Sequence, residues 1–238
     1  MRNVFKKPGL GLLVAALSVG AFAVVDGFNL KRAPKPGDSV TYKLKADVEV
    51  AGTEANFTAK VVEKVTKVEA NGNFQLESSQ SEGKISFGGQ EMDADPSTQT
   101  FTYKPTGEVL DIKSEKLDAS MYRMANLQSF VVPDKDLKVG DEWTIEGKKD
   151  EKTGAVNTKG TYKIAGEEKV GDYDTLKVTF SVKETEGGDS AASAEGTTWI
   201  NKKDNTMVKT EGKWLNAPFP GAPGPINAKV TMSRADLK

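Results

Sequence analysis

Two residues of the chain have a spacing known from catalysis, Ser81 and Lys84 in the sequence SEGK. In serine acyl-transfer enzymes a Ser-x-x-Lys motif works because a turn of helix brings the lysine amine onto the serine hydroxyl. In this chain the four residues lie in a glycine-containing link between two predicted strands. The geometry of the motif therefore fails, and we predict no nucleophile here.

The chain contains neither histidine nor cysteine among its 238 residues. The absence of cysteine excludes disulfides, thiolate metal sites and cysteine nucleophiles. The absence of histidine excludes Ser-His-Asp triads and imidazole zinc ligands. Any chemistry would have to use carboxylates, lysine, tyrosine or a borrowed cofactor, and no pair of carboxylates stands out as the acid and nucleophile of a glycosidase. We therefore predict that the protein is not an enzyme and has no catalytic residues and no cofactor.

Two pairs of aspartates have a spacing that suggests calcium, Asp93 with Asp95 and Asp134 with Asp136. A calcium-binding loop of the usual kind needs a glycine at its sixth position and a distant bidentate glutamate. The first pair has no such glycine, and Gly140 follows Asp134 one position too late. We predict solvated turns at both places and no metal site.

Hydrophobic side chains form the remaining candidate site. Met121 and Met124 belong to a stripe of helical spacing, which is either packing or the lipid-facing side of a lid. Trp199, Trp214 and Phe219 lie near a Pro-rich stretch, where aromatic side chains either line a groove for a ligand or plug the open end of a small barrel. Packing is the favoured interpretation of both groups. If the protein binds a hydrophobic ligand, we expect these five residues to contact it.

The beginning of the chain is typical of a signal peptide. Arg2, Lys6 and Lys7 precede an uncharged stretch at residues 8–25 that contains the cleavage pattern Ala-Phe-Ala. We predict a signal peptide at residues 1–23 and an exported protein, periplasmic or secreted. The alternative is an N-terminal membrane anchor with an extracytoplasmic domain. No later segment is apolar enough to span a membrane, and the balance of 33 basic and 34 acidic side chains argues against nucleic acid as a partner.

Alternation of apolar and polar residues is the main structural signal. Residues 39–50 (SVTYKLKADVEV) place their apolar side chains on one face, which predicts a half-buried strand. Similar stretches follow, separated by turn sequences such as Asn71-Gly72. One segment differs, because Leu117, Met121, Met124 and Leu127 recur at helical spacing. The pattern predicts an all-β, mainly antiparallel fold with one amphipathic helix.

Two halves of the sequence resemble each other on either side of this helix. The motif Lys-x-Gly-Asp occurs at residues 35–38 and 138–141, and without a gap Val61 then falls on Ile164. We interpret the motif as a turn in which glycine has a positive φ and aspartate accepts hydrogen bonds from backbone amides. The alternative makes the two aspartates ligands or acids.

The repeat predicts two tandem β-units that form a curved sheet or half-barrel, with the helix between them. The predicted segments are a signal peptide (1–23), a first β-repeat (36–113), a helix and linker (114–132), a second β-repeat (133–216), a Pro-rich loop (217–225) and a terminal strand (226–238).

The second copy resembles modules of exported bacterial repeat proteins. It contains VPDKDLKVGDEW, a proline before Lys-x-Gly-Asp-x-Trp, and GTTWINKKDNTMVKTEG, a tryptophan strand followed by a charged hairpin. More broadly, residues 36–214 are similar to the lipoprotein-localisation carriers (LolA/LolB-like), in which a curved antiparallel sheet partly wraps a helix. The resemblance implies a lipid carrier without catalytic residues. The chain departs from those carriers in having one clear helix instead of several and more charge on its strands.

These observations favour an exported, non-enzymatic binding protein for a lipid or other hydrophobic ligand, whose partner is that molecule or an envelope protein. The alternative is a structural or interaction module of the cell envelope with no small-molecule ligand. A hydrolase that uses carboxylates is the least favoured hypothesis. A cavity with apolar walls would favour the first hypothesis, and a filled core the second.

Overall fold

The computed structural model describes residues 27–50, 53–220 and 224–237. The predicted signal peptide at residues 1–23 lies outside the described residues. The first half of the described chain forms strands β1 (Ser39–Val50), β2 (Thr53–Val68), β3 (Phe74–Phe87), β4 (Gln90–Ala94), β5 (Ser97–Tyr103) and β6 (Val109–Ser114). Helix α1 (Ala119–Gln128) follows. The second half forms β7 (Glu142–Gly147), β8 (Thr158–Val170), β9 (Tyr173–Glu184), β10 (Ser193–Asn201), β11 (Met207–Ala217) and β12 (Ile226–Arg234), with a 3₁₀ turn at Gly188–Ser190.

All twelve strands belong to one antiparallel sheet, which is not closed into a barrel. The strand order is β6-β5-β3-β2-β1-β12-β11-β10-β9-β8-β7, and β4 pairs with β3 beside this path. The last strand therefore returns to the centre and joins the two halves by pairing with β1. The prediction of an all-β, antiparallel, curved sheet with one helix is confirmed for the described part of the chain.

The alternation seen in the sequence places apolar side chains on one face of the sheet. Ala46 on β1 lies opposite Phe57 on β2 and Val230 on β12, and Trp143 on β7 lies opposite Tyr162 on β8. Because side chains alternate across a strand, each such pair brings further apolar pairs onto the same face. Helix α1 packs on this face, which is the concave one.

The repeated Lys-x-Gly-Asp motif forms the same turn twice. Gly37 and Gly140 both have φ of +93°. The side chain of Asp38 accepts a hydrogen bond from the backbone N–H of Lys35 at 2.7 Å, and Asp141 accepts one from Lys138 at 2.8 Å. The interpretation of the motif as a structural turn is confirmed, since each aspartate is occupied by its own turn.

The hydrogen bonds of these turns also fix which residues of the two halves are equivalent. The N–H of Gly37 donates to the carbonyl of Val65, and the N–H of Gly140 donates to that of Ile164, both at 2.8 Å. Val65 therefore corresponds to Ile164, and the gap-free match of Val61 with Ile164 is wrong by four residues. An even displacement preserves the alternation of faces, which is why the sequence pattern did not expose it.

Helix α1 begins later than its apolar stripe. Asp118 is the N-cap residue and accepts a hydrogen bond from the N–H of Ser120 at 2.7 Å, so the helix starts at Ala119. Leu117, which the stripe included, lies before the helix and is 50% exposed. Met121 and Met124 are buried on the sheet side of the helix, as predicted.

Candidate ligand-binding cavity

A cavity of about 1420 Å³ lies between the concave face of the sheet and helix α1. Strands of both halves line it, with Leu44 and Phe57 from the first half and Phe180 and Val230 from the second. Interiors of folded domains are normally packed to the density of organic crystals, and voids larger than a water molecule are few. The concave face therefore has an apolar lining that side chains do not fill.

Four of the five predicted ligand-binding residues line this cavity, and one does not. Met121 and Met124 approach it from the helix, and Trp214 and Phe219 from β11 and the chain after it. Trp199 lies on the other face of the sheet, because its neighbours Thr198 and Ile200 are the residues of β10 that line the cavity. Sequence proximity to the Pro-rich stretch grouped Trp199 with Trp214, whereas the pleat separates them.

Trp199 has a complete set of contacts on the outer face. Its indole N–H donates to the carboxylate of Glu168 at 3.0 Å. The ammonium groups of Lys177 and Lys209 lie 5.6 and 5.1 Å from the ring centroid. The indole hydrogen bond and the Lys177 ammonium lower the pKa of Glu168 below its ordinary value. The side chains of Glu168, Lys177 and Lys209 therefore cover Trp199 on the outer face of the sheet, and no ligand is needed to explain its burial.

The end of the cavity near β11 is lined by half-buried aromatic side chains. The rings of Trp214 and Phe219 contact each other with their centroids 5.3 Å apart. Phe57 and Ile85 of the first half line the same cavity and are also half-buried. The predicted Pro-rich loop at 217–225 begins here, and its residues 221–223 lie outside the described part of the chain.

The opposite end is covered by the segment at residues 27–32. Phe28 forms a backbone bridge with Leu137, and the N–H of Arg32 donates to the carbonyl of Pro105 at 2.8 Å. The side chain of Asn205 donates to two carbonyls of the segment, those of Asn29 and Lys31, both at 2.9 Å. The segment thus joins a turn of the first half to a turn of the second.

Helix α1 is fixed to both halves of the sheet by polar contacts that the sequence did not reveal. The hydroxyl of Tyr122 accepts a hydrogen bond from the N–H of Ile112 on β6 at 3.1 Å. Arg123 forms a bidentate ion pair with Glu184 at the end of β9, at 2.7 and 2.8 Å. The helix is therefore a fixed wall of the cavity in this structure.

An aromatic cluster holds the chain that follows the helix. Trp143 and Tyr162 stack with centroids 5.4 Å apart, and Phe130 packs edge-on against both. The indole N–H of Trp143 donates to the carbonyl of Val131 at 2.9 Å, and the Tyr162 hydroxyl donates to that of Ser129 at 2.8 Å. Trp143 is buried as part of this packing.

Two charged side chains line the cavity where the 27–32 segment covers it. Arg32 and Glu63 are half-buried there, with Tyr42 and Tyr103 beside them. Burial raises the pKa of Glu63, and the charge of Arg32 lowers it by a smaller amount. Burial likewise raises the pKa of Tyr103, to which the Glu63 charge contributes in the same direction.

The sequence analysis did not identify Arg32 or Glu63 as site residues, although the sequence contains one indication of Glu63. Glu63 stands between Val61 and Val65 at the alternate positions of β2, and so interrupts an apolar face with a carboxylate. Its equivalent in the second half is Tyr162, which fills space in the aromatic cluster. The first half thus has a polar group where the second has packing. Arg32 carried no signal, because it precedes the first strand.

The other sequence candidates lie outside the cavity or at its rim. Ser81 and Lys84 are both in β3, and the ammonium of Lys84 pairs with Asp93 at 2.7 Å and Glu91 at 3.3 Å. Asp134 pairs with Lys31. In residues 27–50, 53–220 and 224–237 no group of three or more acidic side chains is arranged to hold a metal ion. Within the same ranges, no helix has the length and hydrophobicity needed to cross a membrane.

No model of a protein family matches the chain, and no curated protein matches its sequence.

Proposed function

We propose that the protein is a non-enzymatic binding protein that takes a hydrophobic small molecule, such as a lipid, into the cavity under helix α1. The observation that carries the proposal is the cavity itself, about 1420 Å³ with apolar residues of both halves on its walls. Small-molecule pockets usually measure roughly 300–1,000 Å³, so this one has room for a long acyl chain or a comparable ligand.

The cavity walls support the proposal in two further ways. Helix α1 contributes flexible methionine side chains, which adapt to apolar ligands of different shape. Half-buried Phe57 and Phe219 line the cavity at the end away from the 27–32 segment, where an apolar molecule would enter without first disturbing the covered end. We also propose that the protein acts outside the cytoplasm, on the basis of the leader at residues 1–23.

A titration with the uncharged dye Nile red tests the proposal. We expect saturable binding to the full chain, with an increase in dye fluorescence. Leu44→Glu places a carboxylate on the cavity wall and should weaken binding by at least about tenfold, because a charge is costly in an apolar environment. Leu110→Glu is the matched control, since Leu110 lies on β6 outside the cavity lining and is 42% exposed.

The outcomes separate binding from folding. Equal thermal unfolding of the two variants with selective loss of dye binding in Leu44→Glu supports the proposal. Absence of saturable binding to the wild-type chain contradicts it and favours an interaction module without a small ligand. Equal binding by both variants places the dye outside the cavity and also contradicts it.

A further inference from the structure

The guanidinium of Arg32 lies at the covered end of the cavity, and none of the described residues forms a hydrogen bond with it. Its Nε is buried, and none of the described residues accepts a hydrogen bond from it. The guanidinium carbon lies 4.9 Å above the ring centroid of Phe74, which is itself 1% exposed. The side chain is thus held against an aromatic face while its buried Nε has no hydrogen-bond partner among the described residues.

Such an arrangement is unusual in a folded protein. Buried polar atoms such as this Nε nearly always have a hydrogen-bond partner. The guanidinium presents five N–H donors in a planar fork that matches a carboxylate or a phosphate. The contact with Phe74 limits where the guanidinium can lie, so less further ordering is needed when an anion arrives.

Glu63 is the half-buried acid that lines the same end of the cavity, but it does not form an ion pair with Arg32. The two charges act on each other, but no ion pair forms between the two side chains. The other charged residues of the lining are exposed and belong to its rim: Asp95, Glu115, Lys116 and Asp118. Arg32 is therefore the only positive charge on the half-buried part of the lining among the described residues.

We propose that the ligand is an amphiphile with an anionic head group, a carboxylate or a phosphate, whose head pairs with Arg32 while its apolar chain lies along the walls toward Phe57 and Phe219. The proposal rests on the proposed function of the cavity and specifies its ligand class. Burial raises the pKa of Glu63 and so favours its protonated form. A protonated Glu63 would not repel the head group and would be able to donate a hydrogen bond to it.

The test compares ligands that share one chain and differ in the head group. The complex of the full chain with Nile red is titrated separately with four competitors: dodecanoate, dodecyl phosphate, dodecanol and dodecyltrimethylammonium. We expect the two anions to bind roughly tenfold or more tightly than dodecanol, since a charge-assisted hydrogen bond is stronger than a neutral one. Acetate and inorganic phosphate alone should not displace the dye, because they lack the chain.

Two variants with matched charge changes assign the effect to Arg32. Arg32→Gln should abolish the preference for dodecanoate and leave the affinity for dodecanol within about twofold. Lys31→Gln removes a neighbouring charge that pairs with Asp134 outside the cavity lining, and should retain the preference. Glu63→Gln should increase the affinity for dodecanoate, because it removes the opposing carboxyl.

The four ligands are compared on the wild-type chain, so this part of the test does not depend on whether a variant folds. Equal affinities for dodecanoate and dodecanol, or tighter binding of the cation, would overturn the assignment of an anionic head group while leaving the proposed function in place. Retention of the preference in Arg32→Gln would overturn the role of Arg32. If no chain-bearing ligand displaces the dye, or no dye binds, both the ligand class and the proposed function are wrong.

Discussion

The guanidinium of Arg123 on helix α1 is joined to the carboxylate of Glu184 on β9 by two parallel hydrogen bonds, Nε to Oε1 at 2.7 Å and Nη2 to Oε2 at 2.8 Å. The Glu184 side chain is 4% exposed, and its Oε2 also accepts a hydrogen bond from the backbone N–H of Ala192 at 3.0 Å. One carboxylate therefore organises the helix, the end of β9 and the chain that leads into β10.

Replacing Glu184 by Gln should destabilise the protein by about 1.5–3 kcal/mol, because hydrogen bonds to charged groups contribute about that much and Arg123 would lose its partner. Chemical denaturation measures the change in the free energy of unfolding. Lys60→Gln removes an exposed ion pair with Glu82 at 3.1 Å and should cost at most about 1 kcal/mol. Equal costs for the two substitutions would contradict the account of the helix as a fixed wall.

The repeated turns make a prediction at two equivalent glycines. Alanine at Gly37 or Gly140 should cost roughly 1 kcal/mol or more, since both have φ of +93°, which alanine rarely adopts. No described atom lies within 4 Å of the added Cβ at either position, so the cost comes from the backbone alone. Gly166→Ala is the control, because that position has equally open space and no positive φ. A near-zero effect at both turns, measured by thermal unfolding, would refute the turn interpretation.

Trp143 should be a major source of stability for the second half. Its ring is 7% exposed and stacks on Tyr162, so Trp143→Ala should cost on the order of 3–5 kcal/mol. Trp143→Phe should cost less, because it keeps an aromatic ring in the cluster and loses mainly the hydrogen bond to Val131. Denaturant unfolding checks the order. A smaller loss in the alanine variant than in the phenylalanine variant would contradict it.

The three tryptophans should respond differently to a cavity ligand. In single-tryptophan variants, dodecanol should change the emission of Trp214, which lines the cavity, and leave Trp143 and Trp199 unchanged. Trp199 is the informative control, since it is buried but on the opposite face. A change in Trp199 emission equal to that in Trp214 would mean that the ligand binds elsewhere.

Glu63 should make stability depend on pH. Its pKa is raised in the folded state by burial, so the unfolded chain releases this proton first as pH rises from the ordinary value of 4.5. The free energy of unfolding therefore falls as pH rises through the interval between 4.5 and the folded pKa, and stays lower above it. Glu63→Gln should be more stable than the wild type at neutral pH, and the difference should shrink in acid. Parallel pH profiles would contradict the burial of this carboxyl.

Much of the architecture could be predicted because its cause is local. Residues 39–50 alternate, and alternation at period two is compatible with little except a half-buried strand. The beginning of the helix was misplaced, because Leu117 fits the helical spacing while Asp118 is the better cap. The equivalence of Val65 with Ile164 was missed for a similar reason, since strands tolerate an even displacement without a change of face.

Lining residues could be predicted where nearby positions of one stretch of chain carry them, as in α1 and in the chain from Trp214 to Phe219. Met121 and Met124 share a helix face, and both line the cavity. Arg32, by contrast, lines the same cavity as Glu63 only because the 27–32 segment returns across the sheet, and no periodicity encodes that placement. The cavity volume depends on how far the sheet curves around the helix, which the sequence pattern leaves open.

The claim that the cavity under helix α1 holds a hydrophobic ligand can be checked by native mass spectrometry of the wild-type chain after incubation with dodecanol. We expect one bound molecule per chain, and loss of that complex in Leu44→Glu but not in Leu110→Glu. Detection of the unliganded chain alone, with excess dodecanol present, would contradict the claim.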